Sequence, residues 1–136
     1  MSLLFDILEC PEFGPQMASL KDHEQELIIE AIQSRLNKNP MSRRSPVRSE
    51  MLSDNLECLR RIHADDDLLI FYVVCQECRD SPFCQSKIGC FECHKIGPYT
   101  VILVACGYWI ELYEHILSDE FFRWLRNVKF TYEFQV

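Results

Sequence analysis

The chain has 136 residues and a mass of 16.1 kDa, a size that predicts one domain with a sizeable core. Hydrophobic residues make up 48% and charged residues 26%, which excludes an intrinsically disordered composition. The net charge of −7 disfavours non-specific attraction to nucleic acid or to an anionic membrane.

Residues 1–18 are predicted to form an N-terminal arm, followed by a domain at residues 19–136. The arm has one apolar face at helical spacing, made by Leu3, Leu4, Ile7 and Leu8. Its helix is expected to stop at Pro11, Gly14 and Pro15. Ser19 is a suitable N-cap for the first domain helix, whose apolar stripe runs from Leu27 to Leu36.

The middle of the chain predicts a flexible, solvated loop and then a helix. Residues 37–50 are rich in Asn, Pro and Ser and carry four cations: Lys38, Arg43, Arg44 and Arg48. Ser45-Pro46 beside Arg43 and Arg44 fits a phosphorylation site or part of a nuclear localisation signal, whereas the simpler interpretation is a soluble linker. Apolar spacing then predicts a second helix, ended by Asp65–Asp67, through Leu52, Leu56, Leu59 and Ile62.

The second half of the chain predicts two buried strands and further helices. The apolar runs Leu68–Val74 and Tyr99–Cys106 are typical of buried strands, and Gly107 is expected to end the second. Helical spacing follows at Trp109–Leu117 and at Phe121–Arg126. The alternating tail, Val128–Val136, predicts a half-buried strand.

Eight cysteines are the unusual feature of the composition. No secretory signal pattern precedes them, so we expect reduced thiols that hold a metal or act in redox chemistry. Cys75-x2-Cys78 and Cys90-x2-Cys93 form two C-x2-C pairs, which can place four thiolates tetrahedrally around a structural zinc ion. Cys84 and His94 are alternative ligands. The predicted fold is therefore α+β: a small zinc-stabilised domain with N-terminal helices, a central cysteine cluster, a few strands and C-terminal helices.

Two other chemistries use the second pair. Cys90-x2-Cys93-His94 matches a haem-attachment motif, but that modification requires an exported chain. A thiol redox enzyme using Cys90 and Cys93 is the other alternative. Such sites lie at the start of a helix after a strand, whereas here Gly97-Pro98 and a strand follow the pair.

The remaining polar residues offer no catalytic arrangement, because no Gly-rich phosphate loop, Ser-His-Asp ordering or acid/base carboxylate pair is recognisable. We therefore expect a protein that is not an enzyme. A zinc module that binds nucleic acid through Arg43, Arg44 and Arg48 is a further alternative. The net negative charge weighs against it.

A linear motif and two aromatic residues are candidate partner-binding features. Leu8, Cys10 and Glu12 match L-x-C-x-E, the pattern with which viral and cellular proteins dock in extended form on the retinoblastoma pocket. Leu8 also belongs to the apolar face of the arm, so a structural role is the alternative. Trp109 and Trp124 are expected either in the core or facing a partner.

The cysteine pairs and their flanking segments resemble the adenovirus early-region-four thirty-four-kilodalton protein family, between about Leu68 and Val128. The resemblance is carried, in order, by LLIFYVVCQEC, GCFEC, TVILVACGYWIELY and FRWLRNV. It implies an adaptor that binds elongins through a short helical box and brings a cullin ubiquitin ligase to host proteins. The stretch nearest to that box is Val101-Ile102-x3-Cys106-x3-Ile110.

An L-x-C-x-E motif ahead of a C-x2-C zinc domain is also similar to the papillomavirus early oncoprotein family that binds retinoblastoma protein, with Cys90-x2-Cys93 as the first pair. Both resemblances imply a small viral early regulatory protein that binds zinc and diverts host proteins. They imply a location in the host cell nucleus and cytoplasm. We expect no membrane partner, because the longest apolar run, Leu68 to Cys75, is too short to cross a bilayer.

Overall fold

The computed structural model describes residues 4–52, 59–81, 97–116 and 132–134. These residues form one mixed sheet with helices, which confirms the α+β class. The strands are β1 (Asp6–Glu9), β2 (Glu50–Met51), β3 (Arg60–His63), β4 (Leu68–Val74), β5 (Thr100–Tyr108) and β6 (Tyr132–Glu133). The helices are α1 (Phe13–Ala18), α2 (Asp22–Ala31), α3 (Cys75–Asp80) and α4 (Trp109–Ile116), and a π-helical segment (Ile32–Leu36) continues α2.

The described strands lie in the order β2-β3-β4-β5-β1-β6. Neighbouring strands are antiparallel except β1 and β5, which are parallel. β4 and β5 form the centre, from Leu68 opposite Tyr108 to Val74 opposite Val101, with Val104 as the extra residue of a bulge. A bulge increases the local twist of the sheet.

Both faces of β4 are buried. The face towards α2 packs in one apolar cluster that includes Ile28, Ala31, Ile32 and Leu36 from the helical segment and Leu68, Ile70, Tyr72 and Val74 from β4. The alternating β4 residues, Leu69, Phe71 and Val73, point to the opposite face and are buried as well. A strand buried on both sides must be continuously apolar, which explains the composition of residues 68–74.

The sequence prediction for the N-terminal arm was wrong in its secondary structure. Residues Asp6–Glu9 form β1, an interior strand between β5 and β6, rather than a helix. The helix α1 then begins at Phe13, where Gly14 and Pro15 were expected to prevent one. Proline is tolerated in the first turn of a helix, whose amide groups have no partner in the helix, and the fully buried Phe13 anchors this turn in the core.

The predicted second helix was wrong over its last part. Residues 60–63 form β3, which pairs with β4, and Asp65–Asp67 lie in the turn of that hairpin. Residues 53–58 lie outside the described ranges. In the predicted loop at residues 37–50 the arginine side chains are exposed as expected, but Pro40, Val47 and Ser49 are buried against the domain.

Four predicted elements are confirmed: β4, β5, α2 and α4. Gly107 does not end β5, however, because the strand passes through it to Tyr108 with Gly107 opposite Leu69. Its φ of 148° is a backbone conformation that glycine adopts without steric cost. The predicted helix at residues 121–126 lies outside the described part of the chain, and within the predicted C-terminal strand Tyr132–Glu133 forms β6.

Candidate functional site

The first cysteine pair lies where a central strand becomes a helix. Val74 ends β4 in an extended conformation, and Cys75 and Cys78 follow on α3. Residues three apart on a helix lie on the same side. Both residues are buried, with 6% and 3% of their surface exposed. Cys75 and Cys78, two of the four residues predicted to bind zinc, are therefore neighbours on one side of α3.

The chain returns to α3 just before β5. The Gln76 amide donates a hydrogen bond to the Pro98 carbonyl (3.1 Å), and the Thr100 hydroxyl donates to the Gly97 carbonyl (2.8 Å). The segment between residues 81 and 97 therefore begins and ends beside the first cysteine pair.

Cys90 and Cys93, and the alternatives Cys84 and His94, lie outside the described residues. Within the described ranges, no three His, Cys, Asp or Glu side chains group as a metal site.

A buried ion pair fixes the orientation of α3. Arg60 on β3 binds both carboxylate oxygens of Glu77, with Nε–Oε1 and Nη2–Oε2 distances of 2.6 Å. The side chains are 8% and 21% exposed. Burial alone would lower the pKa of Arg60, but the hydrogen bonds and charge of Glu77 outweigh it, so the pKa of Arg60 is raised. Because Glu77 lies between the two cysteines, this pair holds them in place.

The ion pair continues into a buried chain of hydrogen bonds. Arg60 Nη1 donates to the Ser49 hydroxyl (3.2 Å), and the Tyr72 hydroxyl donates to the Pro40 carbonyl (2.5 Å). The Ser49 and Tyr72 oxygens are 2.5 Å apart, and since Tyr72 donates its only proton to Pro40, Ser49 is the donor between them. Burial raises the pKa of Tyr72 to about 12, although the bond from Ser49 and the charge of Arg60 lower it in part. The network joins α3, β3, β4 and the 40–49 segment.

The sequence prediction missed this network. The detectable signal was the adjacent pair Arg60-Arg61: once this segment is known to be a strand, its two side chains must point to opposite faces. One arginine therefore had to point into the protein, and it needs a partner there. Arg61 faces outward and binds the exposed Glu50 at 2.8 Å.

Two other cysteines are core residues. Cys10 is fully buried and Cys106 is 3% exposed, which confirms the predicted core position of Cys106. Burial, together with the charges of nearby glutamates, raises the pKa of both thiols to about 12. Both thiols therefore stay protonated near pH 7, as is usual for cysteines buried in apolar surroundings.

The L-x-C-x-E motif is not accessible as an extended segment in this fold, because part of it is buried in the sheet. Leu8 is half-buried in β1 and pairs with Ile102 and Glu133. Cys10 has no exposed surface, and its amide donates to the Leu103 carbonyl at 2.9 Å. Glu12 is exposed. Docking in extended form would require β1 to leave the sheet.

The stretch nearest to an elongin-binding box is also built into the sheet. Val101, Ile102 and Cys106 lie on β5 with 0%, 6% and 3% of their surface exposed, and only Ile110 is exposed, at 62%. Most of this stretch is therefore a buried strand and does not form the exposed helix that an elongin-binding box requires.

Trp109 lies in an exposed apolar patch at the start of α4. Tyr108, Trp109 and Ile110 are 39%, 43% and 62% exposed. The Trp109 amide donates to the Asp67 carbonyl (3.0 Å), which places the exposed, acidic β3–β4 turn beside them. Trp124, the other predicted contact residue, lies outside the described ranges.

Comparison with protein-family models, curated proteins and solved structures gave no match. None of the helices in the described ranges has the length and apolar content needed to cross a bilayer.

Proposed function

We propose that this protein is a zinc-stabilised adaptor that acts through protein–protein contact rather than catalysis. Following the resemblances, its partners are host proteins such as components of a ubiquitin ligase, met in the nucleus and cytoplasm. Cys75, Cys78, Cys90 and Cys93 are the proposed ligands, with Cys84 and His94 as alternatives.

The observation that carries the proposal is the hydrogen bond between Gln76 and Pro98. It holds Pro98, which follows the second cysteine pair in the sequence, against the helix that carries the first pair. This contact closes the chain between Gln76 and Pro98 into a loop, which supports a site shared by the two cysteine pairs. A zinc ion bound there adds its binding free energy to the folding of this segment.

The exposed Trp109 patch supports contact as the mode of action. Aromatic side chains that keep a large exposed area are enriched at protein interfaces. Tyr108, Trp109 and Ile110 are consecutive and all exposed, whereas the opposite end of β5 is buried at Thr100 and Val101. The routes through an exposed L-x-C-x-E motif or an elongin box are less favoured, because their key side chains are buried.

Metal analysis of purified protein tests the zinc site. We expect one equivalent of zinc per chain, and loss of that zinc in Cys75→Ser and in Cys93→Ser. Cys10→Ala and Cys106→Ala are matched controls that remove a buried thiol outside the proposed site, and they should retain the metal. Metal-free wild-type protein, or equal loss of zinc in the control variants, would refute the site.

A dithiol redox centre at Cys75 and Cys78 is the second candidate. The pair follows a strand and opens a helix, which is the placement expected of such a centre, whereas the sequence analysis considered only Cys90 and Cys93 for this role. Metal-free protein with reversible oxidation of this pair would favour redox chemistry, whereas bound zinc that protects both thiols from alkylation would favour the adaptor.

A further inference from the structure

A basic cleft lies on the surface formed by the 42–51 segment. Its volume is about 610 Å³, within the range of ligand sites, and it is lined by Arg43, Ser45, Arg48, Ser49, Glu50 and Met51. The side chains of Arg43, Ser45 and Arg48 are exposed. Two arginines that share one cleft are notable in a chain with a net charge of −7.

The positive charge of the cleft is not neutralised by its own residues. Among the described residues, neither Arg43 nor Arg48 forms an ion pair. The carboxylate of Glu50 at the rim is bound by Arg61 at 2.8 and 3.1 Å, so its charge is already balanced. The two remaining cations match the charge of one dianionic phosphate monoester.

The backbone around the cleft is held in a defined conformation. The Ser49 amide donates to the Ser42 carbonyl (2.7 Å) and the Arg48 amide donates to the Arg44 carbonyl (2.9 Å), which closes the segment on itself. Ser49 is further anchored by Tyr72 and Arg60. Arg48 has a φ of 53°, an uncommon conformation for a residue other than glycine and one that is found more often at functional sites.

We propose that this cleft binds the phosphoryl group of a phosphorylated segment in a partner protein. Arg43 and Arg48 would bind the phosphate oxygens, and the Ser45 hydroxyl provides a further donor. A nucleic acid fits less well, because it presents a line of singly charged phosphates, whereas the two arginines of this cleft match one doubly charged group. The inference rests on the adaptor function for its choice of partner, but phosphate binding does not require zinc.

The test is calorimetric titration of the full-length protein with a blocked glycine peptide that carries one phosphoserine, at physiological ionic strength. We expect Arg43→Gln and Arg48→Gln each to weaken binding by roughly tenfold, since each removes a charge-assisted contact. Arg44→Gln is the matched control, because Arg44 is exposed on the same segment but does not line the cleft. The affinity of the Arg44→Gln variant for the phosphopeptide should stay within about twofold of the wild-type value.

Arg48→Gly separates binding from folding. Glycine adopts a positive φ without strain, so this variant should melt at or above the wild-type temperature while its affinity for the phosphopeptide falls like that of Arg48→Gln. Equal weakening by Arg44→Gln would show a bulk charge effect and overturn the site. Tighter binding of an oligonucleotide or of free phosphate than of the phosphopeptide would overturn the proposed occupant. If the purified protein contains no metal but binds the phosphopeptide, the proposed zinc site is refuted and the proposed phosphate site is supported.

Discussion

Removal of the Arg60 guanidinium tests whether the buried ion pair positions α3. Arg60→Met keeps most of the side-chain length but eliminates two hydrogen bonds to Glu77 and one to Ser49. Glu77 is then left as a largely desolvated carboxylate without its cation. Breaking a buried pair in this way costs about 3–5 kcal/mol. Because the Glu77 side chain is 21% exposed, water replaces part of the interaction, and we expect about 2–3 kcal/mol.

The assay is urea unfolding followed by circular dichroism, with Arg61→Met as the control. Arg61 is the next residue on β3, but its partner Glu50 is 55% exposed, so we expect its loss to cost less than about 1 kcal/mol. The double variant Arg60→Met/Glu77→Leu should recover at least half of the lost stability, since no unpaired charge remains buried. Equal effects of Arg60→Met and Arg61→Met, or no recovery in the double variant, would refute the reasoning.

Three further predictions concern the sheet and its buried hydroxyl and thiol groups. Gly107→Ala forces alanine into a φ of 148° and should lower the free energy of unfolding by about 1–3 kcal/mol in the same urea assay. Gly97→Ala is the control and should be nearly neutral, because an added Cβ there contacts nothing within 4 Å. Tyr72→Phe leaves the Pro40 carbonyl without its donor and should cost about 1–3 kcal/mol; the control is Tyr99→Phe at a 45% exposed position, and equal effects would contradict a buried hydrogen bond. Burial raises the pKa of Cys10 and Cys106 from 9.0 to about 12, so the folded protein holds these protons more tightly than the unfolded chain. The stability that these two buried thiols contribute should be fully present below about pH 9 and should be lost as the pH rises towards 12. Thermal melts at alkaline pH test this: if the melting temperature of a Cys106→Ala variant falls with pH as steeply as that of the wild type, the prediction is contradicted.

Elements that bury a continuous or regularly spaced set of apolar residues could be predicted from the sequence. Leu68–Val74 is apolar at every position because both of its faces are covered, and no helical or alternating pattern competes with a strand there. The stripe at Ile28, Ala31, Ile32 and Leu36 likewise identified α2 and its π-helical continuation.

Elements decided by distant partners were not predictable. Ile7 and Leu8 fit a helical face and a strand equally well, and the strand is selected by pairing with Val101 and Ile102 on β5. The same pairing buries Cys10, so a motif that is accessible in an extended arm becomes part of the sheet. The bond between Arg60 and Glu77 joins residues whose local sequence shows no relation.

The pairing of β1 with β5 has a consequence for synthesis of the chain. Asp6 is opposite Thr100, so the ribosome releases β1 long before its parallel neighbour β5. Until then both β1 and one edge of β4 expose unpaired amides and apolar side chains, a state that favours aggregation or chaperone capture. Translation products that stop before residue 100 would remain permanently in that state and should be cleared by cellular proteases.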